Sequence, residues 1–167
     1  LCRAGIITAL YVGVTYVFMP FAFGPFQVRP AEALCILPLV FPEAVPALVI
    51  GCALANITSP YAIFDVVFGS LATFLAAMGT FAVGKWVKKD WLKIVLGGLF
   101  PVVLNALIVP FLIVFLYGAV GAFVSTTLAY FSYVGTIAVT EAASIYILGT
   151  PLYKVVSRLQ KKGYLTR

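Results

Sequence analysis

Apolar residues run through the chain in long blocks broken by short polar patches, and the blocks predict six helices. They cover residues 3–20, 30–41, 43–58, 62–85, 93–117 and 122–149, the last with a basic extension to about 163. Several blocks reach the roughly 20 residues that a helix needs to cross a bilayer core. No run of about ten alternating residues repeats, as the strands of a membrane barrel would require, so backbone polar groups must be satisfied within helices. The second and third helices are short. Pro30 and Pro42 suit first turns, where a missing N–H costs little, and Pro38 and Pro46 predict kinks. The expected architecture is an all-α membrane bundle of six transmembrane helices, one domain over residues 1–167, with no inverted internal repeat. The first apolar run is read as a span and not as a cleaved leader.

Composition and charge add a class and an orientation. Hydrophobic residues make up 63% of the chain and charged ones 10%, with a mean hydropathy of +1.14, which leaves too little polar surface for a soluble domain. Ten of the eleven lysines and arginines fall on one side if the N-terminus is cytoplasmic: Arg3, the loop KWVKKDWLK, and the tail from Lys154 onward. Both termini are therefore expected inside, with Trp86 and Trp91 at the inner interface. A net charge of +6 then calls for anionic lipid and needs no nucleic acid. Cys2, Cys35 and Cys52 lack paired spacing and the chain has no histidine, so no metal site, cofactor or enzyme activity is expected. The cysteines read as small packing residues.

Acids inside apolar helices change the picture most, because each costs at least about 3 kcal/mol at mid-membrane unless it faces protein, water or a ligand. Glu43 follows Pro42 and is expected to cap the third helix against its dipole. Glu32 lies three residues after Arg29 and is either its ion-pair partner or a ligand contact. Asp65 opens the fourth helix, as a helix-start acid or a site residue, and Asn56 closes the third. Glu141, in AVTEAASIYILG, has no basic residue within one turn. Near the outer ends lie Gln27, Phe26, Phe64, Tyr117, Tyr130, Phe131 and Tyr133, which form either an interfacial belt or stacking faces for a flat heterocycle. The excess of carboxylates over guanidinium there favours a donor-rich or cationic solute.

Two glycine patterns also stand out. GTFAVGKW has the spacing of a phosphate-binding loop, but Trp86 replaces the magnesium-binding hydroxyl and no strand precedes it, so its glycines are expected to pack helices. Gly5, Ala9 and Gly13 recur every fourth residue and make a smooth stripe, open to either internal packing or an external partner.

The runs FQVRPAEALCILPLVFPEAVPALVIGCALAN, DVVFGSLATFLAA and TEAASIYILG resemble the QueT family of bacterial membrane proteins, most specifically in QVRPAEAL, FPEAVPALVIG and FGSLAT. That family comprises predicted queuosine-precursor transporters among the substrate-binding S components of energy-coupling factor transporters. The resemblance implies a six-helix S component in the cytoplasmic membrane of a bacterium, working with a transmembrane coupling protein and two cytoplasmic ATPases. It implies capture of a 7-deazaguanine from outside and delivery by reorientation of the whole subunit. The cargo would be 7-aminomethyl-7-deazaguanine, 7-cyano-7-deazaguanine or queuine. On that basis Glu141 and Asp65 are expected on the guanine-like edge, Asn56 in support, Glu32 on the amino substituent, and Tyr130 or Tyr133 stacked on the ring. FGPFQVRPAEA is expected to form a lid with Gln27, Arg29 and Glu32 at its rim, and Gly5, Ala9 and Gly13 to meet the partner helix. The alternatives are a self-sufficient ion-coupled carrier and a structural subunit without ligand.

Overall fold

A computed structural model describes residues 2–22, 27–118, 125–163 and 165. All regular structure among them is helical, in seven runs: α1 Cys2–Val17, α2 Met19–Ala22, α3 Pro30–Leu39, α4 Ala44–Asn56, α5 Ala62–Trp86, α6 Asp90–Leu116 and α7 Thr126–Lys161. The seventh run arises because the first block does not continue to residue 20. Pro20 has no N–H to extend the ladder, so the chain breaks at Phe18 and restarts as the four-residue α2. The expected start of the last helix at 122 lies outside the described residues.

α5, α6 and α7 are long and apolar enough to cross a membrane, whereas α1, α3 and α4 are shorter apolar helices. α7 is the longest. Its 36 residues span about 54 Å at ~1.5 Å per residue, beyond a hydrocarbon core of roughly 30 Å, so its basic last turns project past it. Ser125 starts this helix by accepting the Leu128 N–H on its hydroxyl at 3.2 Å.

α3 is the axis of the bundle. Every residue from Ala31 to Leu39 is buried, and the segment packs against α1, α4, α5, α6 and α7. It is a 3₁₀ helix over ten residues, far beyond the usual three or four. Pro38, inside the segment, has no N–H to give to the ladder, and the thinner 3₁₀ form gains about 2 Å of rise per residue. Ten residues thereby cover about 20 Å of the interior. The neighbours come close: a Cβ on Gly84 would stand 2.6 Å from the Leu39 carbonyl oxygen, and one on Gly97 2.7 Å from Leu39 Cδ2. The GTFAVGKW stretch is thus helix in α5, its Gly84 pressed on the α3 backbone and its Gly79 on the Phe100 ring.

Each of the three long helices contains a π-type segment: Asp65–Gly69 in α5, Leu112–Leu116 in α6 and Ala143–Gly149 in α7. Such widened turns re-aim the side chains beside them and recur at functional sites. One end of the bundle gathers the basic residues. There Arg3 Nη1 meets Glu43 Oε1 at 3.3 Å, and Lys161 Nζ meets Asp90 Oδ2 at 3.2 Å. Glu43 does not cap α4 with its side chain; the Arg3 guanidinium, which also lies 4.8 Å over the Phe41 ring, draws the carboxylate away.

Candidate functional site

In a 3₁₀ helix, residues i and i+3 eclipse one another, and this sets the first contact of the site. Cys35 donates its thiol to Glu32 Oε2 at 3.0 Å on the same edge of α3. α1 supplies the second donor: the Tyr11 hydroxyl reaches Glu32 Oε1 at 2.5 Å. Asn105 of α6 brings its Nδ2 to 3.5 Å from Oε2, and its side chain also neighbours Glu141 of α7. Glu32, Asn105 and Glu141 are all buried, so two carboxyl groups from different helices meet around one amide deep in the bundle.

Glu141 is the unfinished member. Its Oε2 is buried and has no hydrogen-bond partner among the described residues, a state it shares only with Ser70 Oγ. An acceptor removed from water with nothing to accept costs about 1–3 kcal/mol, more if charged. The two acids also interact directly through space, and Arg29 acts on both. Glu141 lies 15 residues into α7, about 22 Å from Thr126 at ~1.5 Å per residue, and is therefore far from either helix end.

Toward the end of the bundle opposite the basic loops, a second polar cluster closes over this centre. Arg29, half-buried, donates Nε to the Ala22 carbonyl at 3.1 Å and Nη2 to Asn56 Oδ1 at 3.4 Å. Val28 N–H bonds back to the Phe21 carbonyl at 2.9 Å, so the flanks of the expected lid are tied together. Phe23 to Phe26 lie outside the described residues, and Gln27 is half-buried beside them. Asn56 Nδ2 donates to the Asp65 carbonyl at 2.9 Å and to Cys52 Sγ at 3.3 Å. Both Asp65 carboxylate oxygens have partners, Oδ2 accepting from the Ser59 hydroxyl and Oδ1 from the Tyr117 hydroxyl. The Tyr117 ring stacks on Tyr61 with centroids 3.9 Å apart and planes within 4°.

The site residues expected from sequence therefore separate. Glu32 and Glu141 come together, with Arg29 acting on both. Asp65 and Asn56 join α4 to α5, and their polar atoms are engaged by protein. Of the two tyrosines, Tyr133 shares the buried face of α7 with Ile137 and Glu141 at four-residue intervals, whereas Tyr130 points its hydroxyl at the Leu107 carbonyl among Phe115 and Phe131. Gly5, Ala9 and Gly13 face outward along a groove of about 790 Å³ between α1 and α4, and a Cβ on either glycine would meet nothing within 4 Å. Tyr11 and Asn105 were not picked out from the sequence, and Cys35, read there as a packing residue, also donates to Glu32. Asn105 carried a usable signal, as an amide alone in the apolar run GGLFPVVLNALIVPF.

A chain whose described residues form only helices, three of them fit to cross a bilayer, with carboxyl groups buried between them, is a multi-pass membrane protein. Residues 1–158 match the family model described as QueT transporter. The chain belongs to that family and is a membrane transport protein. No curated protein and no solved structure matches it.

Proposed function

We propose that the chain is the substrate-capture subunit of an ATP-driven energy-coupling factor importer and binds a queuosine precursor of the 7-deazaguanine class. The observation that carries this reading is the unpartnered Glu141 Oε2 beside Glu32 and Asn105. A guanine-like edge presents an N1–H and an exocyclic amine, which one carboxylate can accept together. An aminomethyl ammonium on the same solute would then meet Glu32, and its positive charge relieves the repulsion that the two acids exert on one another. The Asn105 amide, offering both a donor and an acceptor, suits the carbonyl and amine of the same ring. Tyr133 is the preferred stacking candidate, since it lies on the Glu141 face of α7. Asp65 and Asn56 hold the outer end of the bundle in this scheme and touch solute less directly.

Six transmembrane passes with both termini cytoplasmic account for the gathering of Arg3, the Lys85 to Lys93 loop and Lys161 at one end. The four-residue α2 belongs to the outer cap, and residues 1–167 act as one domain. The outward stripe of Gly5, Ala9 and Gly13 is the seat for a helix of the coupling protein, which in turn engages two cytoplasmic ATPases. The membrane is the bacterial cytoplasmic membrane.

The test is a titration of the purified full chain in detergent with 7-aminomethyl-7-deazaguanine, 7-cyano-7-deazaguanine, guanine and riboflavin. Saturable binding of the deazaguanines with none of riboflavin is expected. Equal or absent binding of all four rejects the reading. Uptake in cells that lack the ATPases would instead assign an ion-coupled carrier.

A further inference from the structure

We propose that the groove between the first turns of α6 and the last turns of α7 is a specific binding site for an anionic phospholipid. This groove encloses about 540 Å³ at the basic end of the bundle, and Trp91, Val95, Tyr146, Lys154, Arg158 and Lys161 line it. Its two halves differ in chemistry. The floor is apolar and stitched shut, with the Tyr146 hydroxyl donating to the Val95 carbonyl at 2.9 Å. The rim is cationic, because Lys154, Arg158 and Lys161 follow at intervals of four and three residues and so share one face of α7.

Charge accounting decides the occupant. The chain has five acidic side chains. Glu32, Asp65 and Glu141 are held in the interior clusters, Glu43 pairs with Arg3, and Asp90 pairs with Lys161 while accepting from the Tyr153 hydroxyl at 3.1 Å. No carboxylate side chain is left for Lys154 or Arg158, and among the described residues neither forms an ion pair. Two uncompensated cations therefore stand over an apolar slot, at the level marked by the exposed Trp91 ring. A phosphodiester head group satisfies the cations while its acyl chain lies on Val95 and Tyr146 within the span. A free phosphate or an acidic peptide would leave that apolar wall unused.

Native mass spectrometry of the full chain, extracted from vesicles of equal phosphatidylglycerol and phosphatidylcholine, reads the occupant directly. Phosphatidylglycerol is expected to be retained in preference to phosphatidylcholine. The double variant Lys154→Gln/Arg158→Gln is expected to reduce that retention about tenfold or more, since each cation near an anionic surface contributes separately. Lys88→Gln/Lys89→Gln removes the same charge from the exposed loop outside the groove and is expected to leave retention unchanged; elution as the same species in size exclusion verifies folding of both. Glycerol phosphate, the head group alone, is expected not to displace the lipid. Equal loss in the two double variants, equal retention of both lipids, or displacement by glycerol phosphate overturns the proposal. So does a photoreactive side chain at Val95 that crosslinks to a protein and not to lipid in the intact membrane.

Discussion

The Tyr11 hydroxyl stands 2.5 Å from Glu32 Oε1, joining α1 to the axial helix α3 at the acidic centre of the bundle. The residue that holds one carboxyl in place therefore belongs to the same helix that presents the Gly5, Ala9 and Gly13 stripe. On the proposed reading, solute site and partner face are thus carried on a single element. A partner helix that shifts α1 would act directly on a donor to Glu32.

Tyr11→Phe removes that donor and little volume. It is expected to cost about 1–3 kcal/mol, the range for leaving a buried acceptor without its hydrogen-bond donor. A lower thermal unfolding midpoint in detergent, with weaker binding of 7-aminomethyl-7-deazaguanine, is the expected result. Unchanged stability and affinity would mean that Glu32 is held by Cys35 and Asn105 alone.

Asp65→Asn separates a structural role between α4 and α5 from solute contact. Both carboxylate oxygens accept from protein hydroxyls, so the change is expected to lower stability by about 1–2 kcal/mol while affinity falls less than about threefold. Thermal unfolding and titration on the same preparation check this. A tenfold loss of affinity at unchanged stability would return Asp65 to the ligand edge.

Gly13→Leu and Gly84→Ala test the two kinds of small-residue surface. A side chain at position 13 enters open space, so the isolated protein is expected to keep its stability and ligand binding but to lose assembly with the proposed coupling protein, measured by copurification. At position 84 the added Cβ strikes the Leu39 backbone, and a loss of about 1–3 kcal/mol in unfolding free energy is expected. Assembly that survives Gly13→Leu would remove the stripe from the partner face.

The parts of this fold that could be read in the sequence are those decided by burial cost. Glu141 announced itself because an unpaired acid in an apolar helix needs a reason, and the basic clustering followed from simple counting. What could not be read depends on tertiary neighbours. PAEALCILPL satisfies an α-helical pattern as well as a 3₁₀ one, and only its encirclement by five helices favours the narrower form. Tyr11 looked like any tyrosine in a span, since the acceptor that defines it lies 21 residues away. Asp65 was open to a helix-start role or a site role in the sequence, and only the structure shows Ser59 and Tyr117 completing it while Glu141 keeps a bare oxygen. The π segments in α5, α6 and α7 left no local trace either.

The most direct measurement is the affinity of the purified chain for 7-aminomethyl-7-deazaguanine before and after Glu141→Gln. The account predicts binding at least about tenfold weaker, because a charge-accepting oxygen facing the solute is exchanged for an amide donor, with the unfolding midpoint unchanged or raised. Equal affinity in the two proteins would contradict it, and Glu141 would then be a structural acid whose missing partner lies elsewhere in the chain.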